Sequence, residues 1–155
     1  MPETPSEVRN VIGCNMSFQR SVLQTVGGFR LGRVGLLSIG RENDETEICL
    51  RVREAYRSSI ILFQPASSVE HEVSPERSRL AYFVLRCFSE GVSKATVTRL
   101  FGSDRALQTE RNYVLKILLQ GFVDYLMNTL RGDLSAFLRA IAIVFGLGTT
   151  GIGYA

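Results

Sequence analysis

The sequence predicts an α/β first part, over residues 1–73, joined to a helical second part over residues 74–155. Three observations predict this division. Short apolar runs at Val11–Cys14 and Ile60–Phe63 flank amphipathic helical segments, the alternation expected of an α/β arrangement. Ser74-Pro75-Glu76 reads as a helix start, with a capping serine, proline at the first helical position and an acid behind it. From that point the apolar spacing stays helical to the end of the chain.

Taken in order, residues 1–10 are polar and turn-rich, and Val11-Ile12-Gly13-Cys14 looks like the end of a short strand. Asn15 to Val26 is predicted helical, with Phe18, Val22, Leu23 and Val26 on one face and Gly27-Gly28 as its stop. A glycine-spaced loop follows (Gly32, Gly35, Gly40), holding a short apolar run at 36–39. The second helix spans Asp44 to Tyr56, with Ile48, Val52 and Tyr56 in register. Ile60–Phe63 reads as a buried strand ending at Pro65, and Ala66–Val73 as a further extended piece. Helices are expected to about Glu90, from Ser93 to Phe101 and from Asp104 to Leu130, with Gly91, Gly102 and Gly132 between them. Leu134–Ala155 is the most apolar segment. It is marginal as a spanning helix, and fits better a buried helix or one lying in a membrane interface. Two or three short strands are too few for a sheet that stands alone, so the first part is expected to pair with something or to be incomplete.

A length of 155 residues, 45% hydrophobic and 21% charged, fits one ordinary globular domain with no disorder signature. The net charge of +3 permits contact with nucleotides or anionic lipid. Aromatic and basic residues are not interleaved as single-strand binders require, so nucleic acid is not an expected partner. Phosphoryl and acyl transfer find no glycine-rich phosphate loop and no nucleophile elbow. Cys14, Cys49 and Cys87 are odd in number, show no CxxC spacing and accompany a single histidine, which argues against a zinc site or a disulfide framework. Buried thiols in a reducing, cytoplasmic compartment are expected. The opening Met1-Pro2-Glu3-Thr4-Pro5-Ser6-Glu7 has neither a basic nor an apolar region, so no secretory leader is expected there.

The stretch from Gly40 to Arg51 carries the chemistry. Glu42, Asp44, Glu45 and Glu47 place four carboxylates within six residues at the start of a helix. The helix N-terminus tolerates negative charge, but a cap needs one or two acids. The surplus points to a carboxylate used as a base or as the partner of a cation; plain capping of a surface helix is the alternative.

Several features line up in order: Gly13-Cys14-Asn15-Met16-Ser17-Phe18-Gln19-Arg20, Val26-Gly27-Gly28-Phe29, and Asp44-Glu45-Thr46-Glu47-Ile48-Cys49-Leu50-Arg51, followed by Pro65, His71 and Arg79. This series resembles the C-terminal half of family 2 glycosyltransferases, the inverting nucleotide-sugar enzymes of the GT-A type. The family pattern runs roughly G-x-N-x-x-x-R-R, a GGF turn, E-D-x-E-L-x-x-R at a helix start, then a P-x-x-x-x-x-H strand. The resemblance covers about residues 11–102. It implies the C-terminal part of a GT-A fold with few short strands, followed by a helical extension.

The same resemblance implies roles for individual residues. Asp44 and Glu45 stand at the acidic pair that holds the catalytic base, with Glu45 the first choice. The family order is Glu-Asp and here it is Asp-Glu, which sets the Glu45 carboxylate about 1 Å from the usual place, enough to matter by about 10²-fold if the backbone does not adjust. Asn15 and Met16 line the acceptor side. Arg77 and Arg79 approach the diphosphate of the leaving group, with a solvated basic face as the alternative. His71 approaches the divalent metal or the diphosphate; a lone structural histidine is its bland alternative. The expected cofactor is Mg²⁺ or Mn²⁺, and the expected partners are a nucleotide sugar, a glycan or lipid-linked acceptor and a membrane surface at the cytoplasmic face. The donor-binding half, with its Asp-x-Asp motif, finds no counterpart before residue 11, so the isolated chain is expected to bind donor poorly. The competing expectation is a non-catalytic module of the same fold that docks on a protein or a membrane.

Overall fold

The first strand forms in the polar opening stretch. In the computed structural model, which describes residues 2–11, 13–30 and 44–155, β1 (Ser6–Glu7) pairs antiparallel with β2 (Leu62–Phe63), Ser6 opposite Phe63 and Glu7 opposite Leu62. The Val8 N–H extends the ladder by donating to the Ile61 carbonyl at 2.9 Å. Of the predicted strand Val11–Cys14, Gly13 and Cys14 form a turn, Val11 is irregular and Ile12 lies outside the described residues. Val11 instead packs its side chain against the core cluster. The run Ile60–Phe63 is not buried throughout: Ile61 is buried while Ile60 and Leu62 are more than half exposed. That is the alternation of a ribbon covered on one face.

Helix α1 spans Arg20–Val26, shorter than the predicted Asn15–Val26. Its early residues are drawn away, since Gln19 is extended and Asn15 sits in an isolated bridge. The stop is as expected. Gly27 and Gly28 both adopt positive φ, 79° and 68°, and both N–H groups donate to the Leu23 carbonyl. Helix α2 spans Asp44–Ala55, and seven consecutive residues, Thr46 to Val52, are buried. Seven residues make nearly two turns, so every face of the helix is covered there. Ile48, Cys49 and Ile61 form the centre of the core, with Val8, Val11, Phe18, Leu23 and Val26 packed around it. The glycine-spaced loop, its apolar run and Glu42 lie outside the described residues.

The chain divides into two units, Met1–Pro75 and Glu76–Ala155. A 3-10 turn starting at Pro75, the last residue of the first unit, and ending at Ser78 precedes α3 (Leu80–Phe101) of the second. Gly91 does not interrupt α3 as predicted. It is buried, and a Cβ there would stand 2.1 Å from the Thr150 carbonyl oxygen, so its missing side chain admits another backbone. Gly102 ends α3 at φ 81°. Helix α4 (Ser103–Asn112), a π-helical stretch (Tyr113–Leu118) and α5 (Leu119–Leu130) follow as one helical run. After a turn at Gly132, the Asp133 carboxylate caps α6 (Leu134–Tyr154), accepting from the Ser135 N–H at 2.9 Å and the Ala136 N–H at 3.3 Å.

Helix α5 runs antiparallel to α6, with Gly121 near Ile143 and Tyr125 beside Arg139. Helix α3 runs parallel to α6, with Phe83 against Gly146 and Gly91 against Thr150. At 21 residues, α6 is about 31 Å long. Among the described residues it is the helix long and apolar enough to cross a membrane. Its buried positions are Ala136, Ala140 and Gly146, whereas Leu134, Leu138 and Ile152 are each more than two-thirds exposed.

Candidate active site

Burial of the middle of α2, Thr46 to Val52, forces its polar residues to find partners. Glu47 and Arg51 stand one turn apart and face each other. Arg51 Nε donates to Glu47 Oε1 at 2.7 Å and Nη2 to Oε2 at 2.6 Å, a two-pronged pairing that suits the planar guanidinium. The remaining donors reach the end of α1. Nη2 donates to the Gly28 carbonyl at 2.7 Å, and Nη1 to the Val26 carbonyl. Arg51 is 7% exposed and Glu47 is 9% exposed. The carbonyls freed where α1 stops are thereby satisfied by a side chain from α2. Two elements of the family-like pattern, the double glycine and the Glu-x-x-x-Arg spacing, form one clamp. Tyr56 adds a second tie, donating its hydroxyl to Thr25 Oγ1 at 2.9 Å.

Glu47 is therefore a structural acid. Asp44 and Glu45 lie in the same first turn, half-buried. The Glu45 carboxylate lies over the backbone of Gly13, where a Cβ would meet Oε2 at 3.5 Å. One turn further on, the buried Cys49 thiol is pushed above its ordinary 9.0, first by burial and also by the charge of Glu45. The Glu45 carboxylate thus sits at a helix start beside the Gly13 backbone, on a framework pinned by a buried ion pair.

Asn15 and Met16 come together in one cleft of about 270 Å³, with Val8, Leu62 and Ser67 among its walls. Asn15 Nδ2 donates to the Ser67 carbonyl at 2.9 Å, and Ser67 Oγ donates to Asn15 Oδ1 at 3.3 Å. These bonds fasten the loop after Gly13 to the segment after β2. Glu45 is not in that lining; it touches the same loop two residues earlier, at Gly13. His71 is exposed, in a segment without regular structure. Among the described residues no group of three His, Cys, Asp or Glu side chains is disposed to hold a metal ion. Arg77 and Arg79 belong to the second unit and are exposed. Sequence reasoning missed Arg51 as a structural residue and Gly13 as the neighbour of the acid. The four-residue spacing of Glu47 and Arg51, with apolar residues between them, carried the first signal.

Comparison with known proteins places these features in context. Over 155 residues the chain is 30% identical to the glucosyl-dolichyl phosphate glucuronosyltransferase of Haloferax volcanii. That relative is a glycosyltransferase. The similarity covers 98% of this chain and 48% of the relative, so the chain spans about half the length of the curated protein it matches. No family model matches the chain, and no solved structure does.

Proposed function

We propose that this chain supplies the base-bearing half of an inverting, family 2 glycosyltransferase of the GT-A type. In this reading the enzyme moves a sugar from a nucleotide-sugar donor to a glycan acceptor linked to a dolichyl-type lipid phosphate. The observation that carries it is the Glu45 carboxylate, half-buried at the first turn of α2 against Gly13. Similarity to a glycosyltransferase along nearly the whole chain supports it.

The chemistry follows from the carboxylate. An acceptor hydroxyl is a weak nucleophile. Glu45 takes its proton as the oxygen bonds to the anomeric carbon, the bond from that carbon to the nucleoside diphosphate breaks, and the configuration inverts. A general base of this kind contributes about 10²–10⁴-fold. Asp44 stands second for the role, and Asn15 and Met16 border the acceptor. A divalent Mg²⁺ or Mn²⁺ would neutralise charge on the departing diphosphate. His71 is the residue this reading offers it, and among the described residues no group of three His, Cys, Asp or Glu side chains is disposed to hold the ion.

In this reading the enzyme works at the cytoplasmic face of a membrane; the exposed apolar side chains of α5 and α6 speak for contact with a membrane and not for one of its faces. Those same side chains favour, as a second reading, a non-catalytic docking module. The two separate in one assay. The chain is joined to or mixed with a donor-binding half and incubated with nucleotide sugars and a lipid-linked monosaccharide. Appearance of a lipid-linked disaccharide by mass spectrometry supports the transferase. Membrane binding with no product under any donor supports the docking module.

A further inference from the structure

In the second unit a groove of about 660 Å³ opens between the first turns of α3 and the N-terminal half of α6. Its floor and walls are apolar: Leu80 and Phe83 from α3, Leu138 and Phe145 from α6. Leu80 is 71% exposed and Leu138 67% exposed, and the two phenylalanines are not fully covered either. Arg77 and Arg79 stand at one edge. Among the described residues neither guanidinium makes an ion pair; Arg77 lies over the Tyr82 ring with its Cζ 5.8 Å from the centroid. Glu76 shares the same turn, which leaves that turn a net positive charge with Arg77 and Arg79 counted.

Two cations beside an apolar trough select a ligand with an anionic head and a hydrocarbon body. A nucleoside diphosphate fits one half of that description, because its ribose and base would face leucine and phenylalanine without hydrogen-bond partners. A free phosphate leaves the trough in water. We infer that this groove holds a long-chain isoprenoid phosphate, its phosphate between Arg77 and Arg79 and the head-proximal part of its chain between α3 and α6. Arginine suits the head because its planar fork grips phosphate oxygens in pairs. The remainder of the chain continues past the groove, whose wall includes Ile141, along the exposed apolar surface of α6. The inference deepens the transferase reading by naming the groove that anchors its lipid-linked acceptor, and it rests on that reading for the identity of the lipid. It also reassigns the two arginines from the donor diphosphate to the acceptor phosphate.

The test is direct binding, which needs neither donor nor turnover. Farnesyl phosphate, a short soluble isoprenoid phosphate, is titrated into the whole chain alongside farnesol and inorganic phosphate, with binding followed by calorimetry. Farnesyl phosphate is expected to bind at least about tenfold more tightly than either control. The R77Q/R79Q variant should weaken it about 10–100-fold, the scale of losing charge-assisted hydrogen bonds. L138E should weaken farnesyl phosphate as strongly, and circular dichroism should show both variants as helical as the parent. Equal affinity for farnesol, or indifference to R77Q/R79Q, would overturn the proposal. So would anionic phosphatidylglycerol vesicles that bind through the same arginines while farnesyl phosphate does not compete. Binding of farnesyl phosphate to the groove, with no transfer by the enzyme reconstituted with a donor-binding half, would retain the groove and refute the enzyme. Transfer to lipid-linked sugar with no arginine-dependent binding would do the reverse.

Discussion

Replacing Glu47 by alanine tests the clamp at the base of the candidate site. The variant leaves the Arg51 guanidinium, 7% exposed, with its two carbonyl acceptors and without its counter-charge. Removing one member of a buried pair costs about 3–5 kcal/mol, because the remaining charge stays desolvated. The salt bridge to Arg30 at 3.4 Å adds little, since that side chain is 60% exposed. A domain is stable by only about 5–15 kcal/mol in total. At about 4–8 °C per kcal/mol for a unit of this size, the melting midpoint falls by at least about 12 °C. Arg51→Lys should fall nearly as far, because one ammonium cannot serve a carboxylate and two carbonyls at those angles. Glu47→Leu with Arg51→Leu should lose less than the sum of the single changes, the sign of a pair rather than two independent sites. Thermal denaturation followed by circular dichroism measures all of these. A Glu47→Ala midpoint within about 3 °C of the parent, or strict additivity in the double variant, would refute the reasoning.

Two other expectations concern packing and pH. Gly91→Ala should loosen the α3–α6 contact, because the new Cβ would sit 2.1 Å from the Thr150 oxygen, whereas Gly148→Ala meets nothing within 4 Å and should stabilise α6 by up to about 1 kcal/mol; melting curves of the two variants compare them directly. For Cys49, burial raises the thiol above 9.0 in the folded chain, so its contribution to stability is intact below the unfolded value and declines as pH rises through the folded one. Denaturation midpoints should therefore drop above about pH 9 in the parent and less so in Cys49→Ala. At pH 8 iodoacetamide should modify exposed Cys14 well before Cys49, as peptide mass mapping would show.

How much of this was legible in the sequence depends on the length scale of the signal. Helix α2 and the stop of α1 were legible because their determinants are local: acids at a helix start, and two glycines able to adopt positive φ. The strands were harder. Val11 carries the apolar character of a strand yet spends it on the core cluster, while the polar Ser6 and Glu7 form the ladder through their backbone alone. Gly91 read as a break because a sequence does not show which backbone approaches a glycine, and the answer lies some sixty residues away at Thr150. In the candidate site the cluster of acids is plain in the sequence, but which of them is held structurally is not. Glu47 is buried and faces Arg51 and the end of α1, a fact of tertiary packing.

The central claim is that Glu45 is the base for sugar transfer. In the enzyme reconstituted with a donor-binding half, single-turnover transfer to a lipid-linked acceptor is measured for the parent, Glu45→Gln and Asp44→Asn, with donor affinity measured in parallel. Glu45→Gln is predicted to slow transfer by about 10²-fold or more while donor affinity stays unchanged, and Asp44→Asn to have the smaller effect. A Glu45→Gln enzyme that transfers sugar at the parental rate would contradict the account.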